Sequence, residues 1–307
     1  MTKSYTVMLA IVILSGCRQS QQKQNIPVSD SFPTELVHFE PYQHNPVFTG
    51  TNANTWDKKI RERGYILFED SIYRMWYTGY NNEKADRHPG YATSTDGLTW
   101  KRYSDKPIYD ADWVEDMCII KHDSIYYMFA EGRNDIAHIL ISADGINWKE
   151  KGNIDIRKTN GEPIDKGEYG TPTIWYENKT WYLFYERGDL GIWLATSKDM
   201  NVWTNVQDDP VLALGPDAYD KYAVAMNQVI KYDGKYYGYY HASDTKEWKE
   251  WSVNIAMSDD LIHWKKYEHN PIMQHNRSSG IMVNNGKGYR LYTMHPDVNV
   301  FLPLGEK

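Results

Sequence analysis

Ser94-Thr95-Asp96-Gly97-Leu98-Thr99-Trp100 decides the fold, because the chain repeats its pattern. The other copies are Ser142-Ala143-Asp144-Gly145-Ile146-Asn147-Trp148, Ser197-Lys198-Asp199-Met200-Asn201-Val202-Trp203 and Ser258-Asp259-Asp260-Leu261-Ile262-His263-Trp264. The four Ser-x-Asp-x-x-x-Trp copies start 48, 55 and 61 residues apart, which makes them one structural unit used repeatedly. Ser and Asp side chains bond backbone amides in a tight turn, and Gly or Asn relaxes its dihedrals. The Trp then opens the returning strand and offers a large apolar face. The four aspartates are therefore turn residues.

Working outward, each unit carries an aromatic-rich strand after a short polar turn: Tyr73–Tyr77, Tyr126–Phe129, Trp181–Tyr185, Tyr236–Tyr240 and Tyr289–Tyr292. With the strands before and after it, each unit makes four antiparallel strands. There are five aromatic hairpins but four Ser-x-Asp turns. His44-Asn45-Pro46-Val47 near the N-terminus repeats His269-Asn270-Pro271-Ile272, so residues 36–48 are expected to be the outer strand of the fifth unit. Pairing first with last removes exposed sheet edges. The expectation is an all-β, five-bladed β-propeller of four-stranded antiparallel blades, its ring closed by an N-terminal strand. Residues 159–167 read as a polar loop over one face.

Composition agrees. The 307 residues include 25 Tyr, 12 Trp and 7 Phe, a strand-favouring set. The formal charge of −7 disfavours nucleic acid as a partner. Two cysteines, Cys17 and Cys118, make no disulfide framework. No zinc-type spacing is present, so neither metal nor cofactor is expected.

Lys3 is a short positive n-region, and residues 7–14 form an apolar run too short to span a bilayer. Leu14-Ser15-Gly16-Cys17 then resembles the lipobox of bacterial lipoproteins. That resemblance implies cleavage before Cys17, a lipid on its sulfur and a place in the bacterial cell envelope, at the outer membrane or its periplasmic face. The domain reading is residues 1–16 as lipoprotein signal peptide, 17–34 as flexible tether and 35–307 as propeller.

In such a ring the starts of the innermost strands and the loops leaving the second strands converge on the axis, the usual place for a small-ligand pocket. Ionisable groups cluster at both. Glu62, Arg63, Glu115, Arg133, Asp189, His241, Arg277 and His295 are the expected substrate-binding set. Carboxylates beside arginines and aromatic plates suit an oligosaccharide, since rings stack on its C–H faces and charged groups bond its hydroxyls. Cleaving a glycosidic bond needs two carboxyl groups flanking it. Asp57, Asp116 and Glu168 supply one from each of the first three blades.

At these residues the chain resembles the five-bladed propeller glycosidases, glycoside hydrolase families 43, 32 and 117 and their relatives. The likeness covers nearly the whole mature chain through blade count, aromatic hairpins, Trp56-Asp57 and Met75-Trp76-Tyr77-Thr78-Gly79. It implies Asp57 as base or nucleophile, Asp116 as the residue that tunes a pKa or fixes the sugar, and Glu168 as acid. Only Asp116 has the family-like spacing, ten residues before its aromatic strand; Asp57 is sixteen away and Glu168 thirteen. At ten stand Arg63 and Thr171, which leaves Glu62 or Asp189 as substitutes. Family 117 enzymes use a histidine as acid, which would give that part to His241 or His295. The function expected is hydrolysis of an oligosaccharide, acting on chain ends. The alternative is a glycan-binding surface lipoprotein without catalysis.

Overall fold

The computed structural model describes Met1 and residues 32–83 and 85–304. Cys17 and most of the leader (1–16) and tether (17–34), residues 2–31, lie outside the described residues. Phe32 is buried against Tyr237 and Tyr267.

Five antiparallel sheets form the five expected blades. Blade one is Lys59–Glu69, Ile72–Tyr80, His88–Ser94 and Lys101–Arg102. Blade two is Glu115–His122, Ile125–Glu131, Ala137–Ser142 and Lys149–Asn153. Blade three is Gly170–Glu177, Thr180–Glu186, Gly191–Ser197 and Val202–Asn205. It gains Asp155–Arg157, parallel to its outermost strand, and Leu212–Ala213 beside its third. Blade four is Ala223–Tyr232, Lys235–Ser243, Trp251–Ser258 and Trp264–Lys266. Blade five joins Ser278–Asn284, Tyr289–His295 and Asn299–Pro303 to the N-terminal strand Phe39–Pro41, so first pairs with last. Among the described residues the only helices are Thr34–Val37 and a single 3₁₀ turn, Ala218–Asp220.

The repeated turn works as its chemistry implies. Ser94 Oγ accepts from Gly97 N–H at 2.8 Å, while Asp96 Oδ1 accepts from Leu98 and Thr99 N–H at 2.8 and 2.7 Å. The fourth position needs a left-handed backbone; Gly97 and Gly145 take it freely, and Met200 and Leu261 take it at φ 61° and 69°. Two of these turns also lock neighbouring blades. Trp76 of blade one donates to Gly145 O at 2.7 Å, and Tyr292 of blade five donates to Gly97 O at 3.0 Å, across the seam. The Asn-Pro repeat has a similar reason. Asn45 bonds both the N–H and the C=O of Val300, and Asn270 does the same to Ile255. Each amide side chain substitutes for a strand residue.

Residues 159–167 do not cover the axis. Thr159 bonds Asp208 through its N–H and hydroxyl, and Lys158 pairs with Asp165 at 2.7 Å, which folds the segment along blade three. The expectation of chain-end action from this loop loses its basis.

Candidate active site

The innermost strands begin with β-bulges, at Arg61/Tyr65, Glu115/Cys118, Gly170/Thr173 and Met226/Gln228. A bulge re-aims a side chain, here toward the axis. Glu62, Asp116 and Thr171 stand in the first three of these bulges, and Ser279 opens blade five's innermost strand without one, with φ of 59°, 44°, 43° and 57°. Non-glycine residues hold such backbone only where the surroundings fix it, and such positions cluster at functional sites. All four line one axial cavity of about 240 Å³. The ends of the second strands supply its other wall with Glu131, Glu186, His241 and His295.

Glu131 and Glu186 are near neighbours. A Cβ on Gly170 would strike both carboxylates, so glycine is required between them. Glu131 Oε2 accepts from Thr171 N–H at 2.8 Å and its hydroxyl at 3.2 Å. Glu186 spends both oxygens on backbone, accepting from Gly170 N–H at 2.8 Å and Asp189 N–H at 2.5 Å. Asp116 Oδ1 accepts from Arg63 N–H at 2.8 Å.

Burial among like charges raises the proton affinity of these groups. Burial, then Asp116 and Glu115, raises Glu131 well above the usual carboxyl range. Burial and Glu186 do the same to Asp189. Burial raises Asp116, opposed by Arg63. Glu115 is pushed up to about 7 by burial and Asp116. Glu186 also reaches about 7 through burial, against the two N–H donors that favour its charged form. The histidines move the other way. Burial, with Arg63 and His295, lowers His241 to about 3; burial, with Arg61, lowers His295 to about 4. Both imidazoles are neutral at pH 7 and make poor general acids there, which sets aside the histidine-acid alternative.

Of the expected residues, Asp116, Glu168, Glu62, Glu115, Asp189, His241 and His295 line the cavity. Four do not. Asp57 is buried on the flank of blade one, where Arg102 Nε, Thr55 Oγ1 and Tyr77 Oη reach it at 2.7, 2.9 and 3.1 Å. It is an ion-pair partner of the outer strand and not a base at the axis. Arg63 turns down the axis beneath the cavity, because blade one's bulge carries an extra residue and Glu62 takes the lining position. Arg133 sits on the rim, paired with Asp86 and stacked on Trp113. Arg277 lies away from the cavity, over the ring of Phe301.

Read from sequence, Glu131, Asp135 and Glu186 stand in loops at the axis without a catalytic role, and Arg61, Arg87, Trp248 and Trp251 are not site residues; all seven line the cavity. The two glutamates had a signal, since both end a second strand in the same register of adjacent blades. The tryptophans had one too: the loop between Ser243 and Trp251 is long for a hairpin and carries aromatic residues. Arg87 had none. It pairs with Glu115 at 3.7 Å and stacks between Tyr80 and Trp113, residues from two blades.

These raised carboxyls fix the sign of a stability test. Protonated, they are accommodated; as pH rises through their folded values, the buried charge counts against folding. Glu115 and Glu186, held near 7 against 4.5, each cost roughly 3 kcal/mol once ionised. Glu131→Gln keeps the acceptor for Thr171 and removes one such charge. Its melting temperature is expected to exceed that of the parent at pH 9, by about 2–4 °C per kcal/mol recovered, with a smaller gain at pH 5. Equal gains at both pH values would contradict the assignment of a proton to Glu131.

No family model matches the chain. A 1,2-beta-oligomannan phosphorylase of Thermoanaerobacter is 22% identical over 244 residues, 73% of this chain and 78% of the relative. A glycosyl hydrolase structure from Bacteroides ovatus aligns with a TM-score of 0.71 at 15% identity, covering 89% of this chain and 95% of that one. A third relative comes from work described as "The GH130 family of mannoside phosphorylases contains glycoside hydrolases that target beta-1,2 mannosidic linkages in Candida mannan". It aligns with a TM-score of 0.70 at 15% identity, over 87% of this chain and 94% of that one. Two of these three are named for β-1,2-mannosides and the other as a glycosyl hydrolase, and families 43, 32 and 117 are not among these names. At these identities the structural likeness establishes the five-bladed fold of glycoside-active proteins, and the chemistry rests on the cavity.

Proposed function

We propose that this protein hydrolyses the glycosidic bonds of an oligosaccharide, with β-1,2-linked mannosides as the first substrates to try. The observation that carries the reading is the set of buried, proton-holding carboxyls on the axis. Asp116, with one oxygen held by Arg63 N–H, donates its proton to the leaving oxygen. Glu186, fixed by two N–H donors and titrating near 7, accepts a proton from the attacking water, while Glu131 beside it stays protonated. A binding-only protein gains nothing from acids kept at such a cost to folding.

Charge argues for water as the acceptor. The lining holds eight carboxyl groups and two guanidinium groups. Arg61 is already paired with Glu62 and Arg87 with Glu115. A phosphate ion entering there finds both lining guanidinium groups already paired with carboxylates. The relatives named as phosphorylases make this the decisive comparison. Incubating the protein with β-1,2-mannotriose, with and without inorganic phosphate, is expected to release free mannose at the same rate in both. Phosphate-dependent release of a sugar 1-phosphate would overturn the hydrolytic reading, and no cleavage of any mannoside would return the protein to the glycan-binding alternative.

Titration supports a further expected result. Activity is expected to rise with pH through about 7 as Glu186 ionises. Glu186→Gln removes the acid-side inflection from what activity remains, as a pH profile of kcat would read. The reading also keeps Cys17 as the lipid attachment at the cell envelope: Cys17→Ala is expected to shift the protein from the membrane to the soluble fraction.

A further inference from the structure

The axial cavity, at about 240 Å³, falls below the roughly 300–1,000 Å³ that encloses a drug-sized ligand. It takes the end of a glycan and leaves the rest of the chain to find a path outward. Behind Trp251 lies a second cavity of about 360 Å³, and the indole of Trp251 walls both. Its other sides come from Tyr219 before blade four, Asp244 and Glu250 from the loop within blade four, and Gln274 and His275 before blade five. Trp251 is a fixed partition. Its backbone N–H donates to Asn276 Oδ1 at 3.3 Å, and its ring meets His241 edge-on at 4.9 Å. Trp248, on the same loop, lines the axial cavity yet is 47% exposed, with its backbone at φ 50°. A large ring left open beside a polar cavity, on strained backbone, marks a contact surface for a ligand.

We propose that the second cavity is a further sugar subsite. A glycan cleaved in the axial cavity crosses Trp248 and Trp251 and sets a following sugar against Tyr219 and the polar groups of Asp244, Glu250 and Gln274. The inference rests on the glycoside-cleaving reading and deepens it, making chains longer than a disaccharide the preferred substrates. Indole and phenol rings stack on sugar C–H faces, and the carboxylates and amide bond its hydroxyls.

The test is a ladder of β-1,2-mannooligosaccharides from two to five sugars. Wild-type kcat/KM is expected to rise at least tenfold between the disaccharide and the tetrasaccharide. In Gln274→Trp, which fills the second cavity, that ratio falls toward one. Binding of the same ladder to Asp116→Asn by calorimetry separates the two ideas. Cleavage with no dependence on length overturns the subsite and leaves the proposed function standing. Affinity that climbs with length, without cleavage by wild type, overturns the function and supports the subsite. Neither cleavage nor binding overturns both.

Discussion

Asp116→Asn lowers kcat on an unactivated oligosaccharide by about 10²–10⁴-fold, the range a positioned proton donor contributes. The substitution is conservative where the fold is concerned. The Asn carbonyl still accepts from Arg63 N–H, a bond of 2.8 Å, and the left-handed backbone at φ 44° is one that Asn tolerates. Removing a buried ionisable group raised by burial does not weaken folding at neutral pH. The melting temperature is therefore expected to hold or rise while turnover collapses. An aryl mannoside with a strongly activated phenol as leaving group distinguishes proton donation from a loss of positioning. Such a leaving group departs without protonation, so the variant keeps most of the parental rate on it. An equal loss on both substrates would mean that Asp116 positions the sugar and that the donor is another member of the cluster.

The contrast between Asp116 and Asp57 explains how far the sequence could be read. The ring was legible because its instructions are local. A Ser-x-Asp turn closes within itself, and Asn45 and Asn270 each satisfy one neighbouring strand residue, so every copy carries the same letters. Closure by the N-terminal strand followed from that same bookkeeping of copies. Site residues are defined by register at the mouth of each blade, and one extra residue in a bulge changes which side chain faces the axis. Blade two has the short bulge, and counting back from its aromatic strand found Asp116. Blade one has the longer bulge, so the count landed on Arg63 while Glu62 occupies the wall. Asp57 was drawn instead to Arg102, 45 residues on, by a contact that no local spacing encodes. Glu131 and Glu186 were harder still. Each is an ordinary glutamate at a strand end, and only their convergence on Gly170 from adjacent blades makes them a pair.

Arg63→Met is expected to cost most or all of the folding free energy. Arg63 is fully buried on the axis beneath the cavity. Its Nη1 donates to Thr173 Oγ1 at 2.6 Å and Met226 O at 2.7 Å, and its Nη2 donates to Pro172 O at 2.7 Å and to Asp116 O. One side chain from blade one thus ties blades two, three and four where their innermost strands converge. Methionine fills much of the volume but takes the guanidinium donors from Pro172 O and Asp116 O, while Met226 O keeps only the Thr173 hydroxyl, at 2.8 Å. Each buried orphan costs about 1–3 kcal/mol, and together they rival the 5–15 kcal/mol that holds a typical domain. The cation also opposes the burial penalty on Asp116, so its loss pushes the carboxyl further toward its protonated form. Arg63→Lys separates the two effects. It restores the charge but not the planar fork of donors, so its denaturation midpoint falls between those of parent and methionine variant. A methionine variant with the parental midpoint would show that the axis is held by the blades alone, and that Arg63 serves only the electrostatics of the acids above it.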